Sequence, residues 1–468
     1  MPLISLIQKI PFGNPAARGF WLYSKVPPTF LKKIEQENFK KTVLFVYKHS
    51  KFYRRKFDQH QINPKQVTGP EDLGDFFTTA EDLREHVDEF VCQKPDTAYE
   101  TTGTTSKKPK RVYFSRNEIR EAGLAGAVGL WGVGVRPTDR VASAFDYSFW
   151  VSGPVLQASC EALGCFHVEA GRIPPSEFYE RLKDYRITVI VGDPSWLLGL
   201  SEVAEKKGAP PGLAPLQRSD SFGERPDRAG GWPLKLILGG GENMTEAMRR
   251  YIESVWKADC LLSYGQTEAF GAIGMESRDK AGYHLNEFHN FFEIIGADNE
   301  GYGELVYTNL NRRVMPLVRY RSGDITKFLE PHPPKSAADR NSPSGLPGRR
   351  IAKLRGRVNE WTATAMGNLA PWMFEPILNS IKGLSSDWQI IIDKDSHKDL
   401  IEFHVEALDD VVNPSDLKEI IFSNIRKELT DAWKSYELGL FKIDLRLHAK
   451  GTLRNGRKLV RLVDKRKF

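Results

Sequence analysis

Apolar positions recur at helical spacing from Lys32 to His49, behind a charged first half, and predict a helix there. Pro64 and Pro70 punctuate the connector that follows. Thr79 then stands as an N-cap before a second predicted helix, AEDLREHVDEF. Beyond the first hundred residues the pattern turns to α/β. Ile187–Val191 (ITVIV) and Leu234–Leu238 (LKLIL) are short continuous apolar runs, as expected of strands covered on both faces. The second run ends in Gly239, Gly240 and Gly241, and helical periodicity resumes from Thr245; strand, glycine loop and helix in that order form a ligand-side turn of an α/β sheet. Phe291–Ile295 and Glu304–Thr308 predict strands joined through the Gly301–Gly303 turn. Pro331–Gly348 has five Pro and almost no large apolar residues, which predicts an exposed loop. After it, strands near Trp388–Ile392, Ile401–Val405 and Phe441–Leu447 and a helix near Leu417–Leu429 predict a separate small α+β unit. No internal repeat is visible.

Length supports this division, because 468 residues exceed what one hydrophobic core fills. With 40% hydrophobic and 27% charged residues the composition is that of a globular protein, not a disordered one. Charge changes the picture more. The net charge is +7, yet Phe441–Phe468 alone carries ten Lys/Arg against two Asp, or +8, so the other 440 residues sum to −1. A broad basic face for nucleic acid is thereby disfavoured; what needs explaining is a basic tail. The longest nearly uncharged apolar run, Ala122–Val135, has 14 residues and is short of the ~20 that cross a bilayer. The N-terminal stretch is interrupted by Lys9 and Pro11 and makes a poor signal peptide. Cys92, Cys160, Cys165 and Cys260 form no CxxC pair and read as buried thiols of a cytoplasmic protein.

The sharpest local signal is Thr101–Lys110, TTGTTSKKPK. Four Thr around Gly103, closed by lysines, combine hydroxyls, backbone N–H groups and positive charge, which is what a loop around phosphate oxygens needs. The spelling is not that of a P-loop NTPase. Further on stand SYGQTE (263–268), RYRSGD (319–324), LRGRVNE (354–360) and GTLRNGRKLVR (451–461). In this order and at these separations the segments resemble the acyl-adenylating superfamily. KFYRRKF, FTTAEDLR, GGGENMTEAMRR, HLNE, MPLVRYRSGDIT and LVRLVDKR narrow the resemblance to its phenylacetate-CoA ligase branch, which includes coenzyme F390 synthetase-like proteins. The match runs over roughly residues 50–466.

The resemblance implies an α/β fold with a large N-terminal domain, residues 1–356, and a small mobile C-terminal domain, residues 357–468. It implies two steps: ATP and a carboxylic acid, an aromatic one first, give an acyl-adenylate, and the thiol of coenzyme A then displaces AMP. Thr101, Thr102, Gly103, Thr104 and Thr105 would hold the β- and γ-phosphates. Thr267 would bond the α-phosphate, and Glu268 would hold Mg²⁺ together with phosphates and waters. Tyr264 would stack on adenine, Asp324 would accept the ribose hydroxyls, and Arg357 would assist at ribose and phosphate. Gly241, Glu242, Ser263 and Gly265 complete the expected ATP site. Lys458 would bridge the attacking carboxylate and the α-phosphate, a role that suits a flexible point charge. Asn359 would be the hinge about which the small domain turns. Phe145, Tyr147, Phe149 and Trp150, with Gly239 and Gly240 opposite, would line the acyl pocket; Trp150 falls where a smaller Phe is usual and would shorten it.

Several positions depart from the pattern. Ser106 replaces a Gly of the phosphate loop, and Lys107–Lys108 adds a residue before Pro109. Asn359 and Glu360 stand at a hinge that is usually Asp or Lys, and Arg457 replaces the Gly before the lysine. No cysteines occur at 331–350, and no HExxH motif is present, so zinc is not expected. Three readings follow: a carboxylate–CoA ligase; an adenylating enzyme that serves a carrier-protein phosphopantetheine, an amine or a cofactor hydroxyl; and a binding protein that keeps the fold. The expected partners are a small carboxylic acid and coenzyme A or an acyl carrier protein, without nucleic acid or a membrane span, and with a homodimer left open. The nine other basic residues of the tail would meet the phosphates of coenzyme A or an acidic carrier, or remain solvated.

Overall fold

The computed structural model describes residues 13–101, 109–208, 234–241, 244, 246–330, 346, 348–357, 362–369, 373–374, 377–378, 381, 383–407, 414–449, 451–453 and 461–466. The predicted loop at 331–348 falls almost wholly outside them.

The chain opens with helices α1 (Pro15–Lys25), α2 (Pro28–His49), α3 (Lys51–Gln59) and α4 (Ala80–His86). α1 starts where Asn14 Oδ1 accepts the N–H groups of Ala16 and Ala17 and Pro15 presets the first turn. α4 starts at the expected Thr79, in a reciprocal cap with Asp82. It stops at His86, and Val87–Phe90 continues as a 3₁₀ turn, shorter than the apolar spacing predicts. Strands β1 (Thr97–Thr101) and β2 (Lys110–Phe114) pair antiparallel. Helix α5 (Arg116–Gly132) takes up most of the apolar run read above, capped by Ser115 and Glu118.

The α/β body follows as β3 (Arg140–Ser143), α6 (Ser152–Leu163), β4 (Phe166–Glu169), α7 (Pro175–Asp184), β5 (Val189–Gly192), α8 (Pro194–Lys207), β6 (Leu236–Gly240), α9 (Glu246–Trp256), β7 (Asp259–Gln266), β8 (Gly271–Glu276) and β9 (Tyr283–Leu285). Next come β10 (Asn290–Ile295), β11 (Gly303–Asn309), β12 (Tyr320–Thr326), β13 (Phe328–Leu329), β14 (Arg350–Ile351) and β15 (Gly356–Arg357). The main sheet runs β13-β14-β9-β8-β7-β6-β5-β3-β4, parallel from β4 to β7 and antiparallel beyond. The two continuous apolar runs lead into its central strands, each of which starts two residues later than the run and is buried at every residue. Alternate side chains divide between two cores: Val189, Val191, Leu236 and Leu238 join Leu130 and Leu156 of α5 and α6, while Ile190 and Ile237 join Trp196, Ile252 and Trp256 of α8 and α9. β6 continues through Gly239 and Gly240, which pair with Leu262 and Ser263, so the glycine turn begins only at Gly241. A second sheet orders β10-β11-β12-β15.

The small unit contains β16 (Thr362–Thr364), β17 (Gly367–Leu369), β18 (Leu384–Asp395), β19 (Lys398–Ala407), α10 (Pro414–Glu428), α11 (Thr430–Glu437), β20 (Phe441–Ala449) and β21 (Leu462–Asp464). Its sheet, β20-β19-β18-β21, has its own core around Trp388, Ile390, Phe403 and Ile421. It meets the large unit where Lys398 Nζ lies 2.7 Å from Glu202 Oε2 and the His397 ring stacks 4.4 Å from Tyr251. Of the tail's basic residues, Lys442 pairs with Asp395, Arg446 with Glu402 and Arg466 with Asp399 and Asp464, so this part of the +8 is neutralised within the fold. Two cysteines, Cys160 and Cys260, are buried; Cys92 and Cys165 are only half-buried, because their side chains lie at the margins of the cores. No helix among the described residues is long and apolar enough to cross a membrane.

Inside the large unit, Arg249 donates to both oxygens of Glu276, at 2.7 and 2.9 Å, and to the Cys260 carbonyl at 2.9 Å. Glu276 also accepts the Leu262 N–H, which ties α9 to β7 and β8. Both side chains are fully buried. Glu276→Ala leaves the guanidinium without its partner and is expected to lower stability by about 3–5 kcal/mol, whereas the double exchange Arg249→Met/Glu276→Leu recovers most of the loss; urea unfolding followed by tryptophan fluorescence measures both.

Candidate active site

Thr101 at the end of β1 and Lys110 at the start of β2 face each other across the strand pair. From this position Lys110 Nζ forms an ion pair with Glu268 Oε1. Tyr320 donates to the same oxygen at 3.0 Å and accepts from Lys110 at 3.1 Å. Glu268 lies in the turn after β7 and is only 2% exposed. Burial pushes its carboxyl up; the charge and hydrogen bond of Lys110, with Tyr320, outweigh burial and hold it below the ordinary carboxylate range. The turn itself is fixed by its backbone, since the Glu268 carbonyl accepts from Asn309 Nδ2 at 3.1 Å and Arg312 Nη1 at 3.2 Å. Arg312 lies over the rings of Phe114 and Phe270, and burial brings its guanidinium down to about 10.

Asp324 is 2% exposed on β12. Its Oδ2 accepts from Tyr264 at 2.5 Å and Gln266 at 2.6 Å, and Gln266 Oε1 accepts from Tyr307 at 2.9 Å. One face of the turn thus holds a buried carboxylate beside a lysine, and the other a buried carboxylate beside two neutral donors.

A cavity of 780 Å³ joins three groups of residues. Lys110, Gln266, Thr267, Glu268 and Ser322 form a polar wall. Phe145, Trp150, Val155 and Leu156 begin an apolar reach. Ala365, Met366 and Gly367 of the β16–β17 hairpin, with Asp431, Lys434 and Leu438 in and after α11, bring the small unit to the same space. The wall also holds Asp193, with Arg172 Nη2 at 3.7 Å and Asp146 nearby. Asp193 occupies the N-cap position of α8 but makes no side-chain cap bond; burial raises its carboxyl, Arg172 opposes this and the Asp146 charge adds to it. Gly241 turns at φ +88°, and a Cβ there would come within 3.0 Å of Asp193 Oδ1, so the turn requires glycine.

Of the sequence-predicted residues, Thr101, Phe145, Trp150, Gly239, Gly240, Gly241, Ser263, Gly265, Thr267 and Glu268 line this cavity. Tyr264 and Asp324 stand behind the wall, bonded to each other. Tyr147 turns to Ser143 Oγ and lies 3.4 Å from His167 Nε2; burial lowers that imidazole to about 4. Phe149 is 64% exposed and away from the cavity. Trp150 does not close the apolar reach, which continues past it to Gly126, Ser159 and Met275. The backbone of Arg357 pairs with Asp324 across β12–β15. Thr102, Gly103, Thr104, Thr105, Glu242, Asn359 and Lys458 lie outside the described residues.

Sequence reasoning passed over Lys110 as a partner of Glu268, as well as Tyr320, Gln266, Arg312, Asp193 and the walls supplied by α5, α11 and the β16–β17 hairpin. Lys110, Gln266 and Tyr320 sit inside or beside quoted motifs, so the signal was present in residue type. Pairing across 158 positions has no sequence signature.

Lys110→Met leaves burial of Glu268 unopposed and is expected to raise its carboxyl above the ordinary range. In the native protein the depressed carboxyl contributes stability that is present above the unfolded value near 4.5 and lost as pH falls through the folded value. In the variant the sign reverses, and stability falls as pH rises through the new value. The gap between the two urea midpoints should therefore widen from pH 4 to pH 7; a constant gap would show that Lys110 does not set the ionisation of Glu268.

The AMP-binding enzyme family matches residues 33–286, more than half of the chain, and the AMP-binding enzyme C-terminal domain matches residues 367–466. Phenylacetate-coenzyme A ligase of Pseudomonas putida is 27% identical over 453 residues, covering 93% of this chain and 94% of the relative. The enzyme of that name from Thermus thermophilus is 28% identical, covering 82% of each. Among solved structures, 2-hydroxyisobutyryl-CoA ligase with 2-HIB-AMP and CoA in the thioesterification state superposes with a TM-score of 0.74 at 22% identity, covering 94% of this chain and 90% of that one. The same ligase in its postadenylation state gives a TM-score of 0.62. With both of its domains matched in chain order, this chain belongs to the AMP-binding enzyme family.

Proposed function

We propose that this chain is an AMP-forming acid–CoA ligase that activates a carboxylic acid with an apolar, first of all aryl, tail. The observation that carries the reading is the single cavity in which Thr267, Glu268 and Lys110 adjoin an apolar reach on one side and the small unit on another. An acid carboxylate placed there attacks the α-phosphorus of ATP and pyrophosphate leaves; a thiol then attacks the acyl carbon and AMP leaves. Both steps gather negative charge on phosphate oxygens, and aimed donors held in place before reaction are what stabilises it. Thr267 offers its hydroxyl to the α-phosphate, and Lys110 is the cation next to Glu268. Fit to Mg²⁺ follows from the donor set. Lys110 and Tyr320 both engage Oε1 of the Glu268 carboxylate, and one buried carboxylate suits an ion completed by phosphates and waters. When bound, the ion neutralises phosphate charge.

Tyr264 and Gln266 hold Asp324 for the ribose hydroxyls, and the thiol arrives along the face that carries Ala365–Gly367 and α11. Lys458 serves the first step, Asn359 is the pivot, and the domains divide at residues 356 and 357. The names of the relatives favour coenzyme A over a carrier protein as acceptor. A substrate set of ATP and coenzyme A is consistent with the cytoplasm.

With ATP, Mg²⁺ and a panel of acids, hydroxylamine should trap an acyl-hydroxamate, and coenzyme A should convert the same acids to thioesters; pyrophosphate from none of the acids overturns the reading, and hydroxamate without thioester moves the acceptor to a carrier protein. Lys458→Ala should lower adenylation at least a hundredfold while thioester formation from supplied acyl-AMP persists, and equal loss in both half-reactions would remove Lys458 from its assigned step.

A further inference from the structure

The apolar reach of the cavity does not end at the aromatic segment. It continues between helices α5 and α6 and the face of the main sheet, where Gly126, Leu130, Leu156, Ser159, Leu238 and Met275 line it. Leu130, Ser159 and Leu238 are each only 2% exposed and belong to, or stand within, the apolar layer on that face of the sheet. Met275 is different. It lies on β8, packs against that same layer, is only half-buried, and lines the cavity. Interiors normally close such space, because a void forfeits contacts on one side. Helix α5 borders this space, and its sequence GLAGAVG puts glycine on the face toward α6 and β8. At Gly123 the two helices touch: a Cβ would lie 2.5 Å from Ala158 Cβ and 2.7 Å from its backbone carbon. One turn further on, at Gly126, the helices are still close, since a Cβ would lie 2.2 Å from Ser159 Oγ; at Gly129 the nearest group is Met275, 3.5 Å from where a Cβ would be. Of these three glycines, only the last, opposite Met275, has room for a side chain.

From Ser152 at the mouth to Ser159 at the floor, the reach follows α6 for about 10 Å, at ~1.5 Å per residue. Val191 and Leu238 continue it on the sheet side. An aryl group held near Phe145 and Trp150 leaves the inner part empty. The inner lining is apolar apart from the Ser159 hydroxyl, which is engaged with the Val155 carbonyl at 2.6 Å. Neither a charged nor a strongly hydrated group has a partner there.

We infer that the acid bound by this chain carries an unbranched alkyl tail, or an aryl ring extended by one, long enough to pass Trp150 and pack on Met275, and that Met275 sets the length limit. The inference rests on the ligase reading for its kinetic arm only; binding tests it separately.

Hexanoate, octanoate, decanoate, phenylacetate and para-butylphenylacetate form the probe set, with kcat/KM from pyrophosphate release and affinity from calorimetry without ATP. Burial of each added methylene should raise kcat/KM about fourfold until the floor is reached. Decanoate and para-butylphenylacetate should then exceed hexanoate and phenylacetate, respectively, by at least tenfold. Met275→Phe should lower the ratio of decanoate to hexanoate at least tenfold, and Met275→Ala should move the optimum to a longer acid. A preference for phenylacetate over its butyl derivative, or an equal loss for every acid in Met275→Phe, overturns the inference. If no acid releases pyrophosphate, the ligase reading fails, while calorimetric binding that strengthens with tail length and is shortened by Met275→Phe still supports the inner pocket. Binding without length dependence refutes it.

Discussion

A carboxylate cannot remain ionised in the interior of a protein unless something nearby pays back its lost hydration, and Glu268 is in that position. Lys110 supplies the opposite charge and Tyr320 a second hydrogen bond, so the β1–β2 pair and β12 are both bound to the turn after β7. The main-chain side of that turn is gripped by Asn309 and Arg312, and Arg312 in turn donates to the Tyr113 carbonyl at 2.9 Å on β2. One buried charge thus fixes the relative places of the main sheet, the second sheet and the β1–β2 pair. The cavity wall is the exposed edge of this network.

Around that edge the remaining parts are arranged by packing. Alternate side chains of β5 and β6 commit the sheet to two apolar layers, which requires helices on both faces. The layer beneath α5 and α6 borders the apolar reach, where Leu130, Leu156, Leu238 and Met275 line the cavity. The small unit has a core of its own and, among the described residues, brings a hairpin and the end of α11 to the cavity, with an ion pair, a ring stack and the packing of Leu440 on Gly199 outside it. Two distinct cores suit a substrate space lined from both units.

Much of this was legible beforehand. ITVIV and LKLIL stood as strands covered on both faces because such burial removes alternation, and Thr79 marked a helix start because the cap is a local bond. The end of that helix was less legible, since the 3₁₀ turn at Val87–Phe90 carries the same apolar spacing as an α-helix. SYGQTE pointed to Thr267 and Glu268, whereas the partners of Glu268 lie 158 and 52 positions away and no spacing rule links them. AFDYSFW was read as one aromatic wall, but the chain bends through it, so Phe145 and Trp150 face the cavity while Tyr147 and Phe149 do not. The basic tail looked like a single charged feature. Folding divided it, pairing Lys442, Arg446 and Arg466 with acids of the small unit.

By itself the sequence determined the class of fold, the order of its elements and the residue types at the polar wall, because periodicity, caps and motif spelling are local properties of the chain. Tertiary structure alone decided which carboxylate received which cation, which of four neighbouring aromatics reached the cavity, and how deep the cavity runs. Those outcomes depend on distances between segments far apart in the chain and on space left unfilled, and neither quantity exists until the layers have packed.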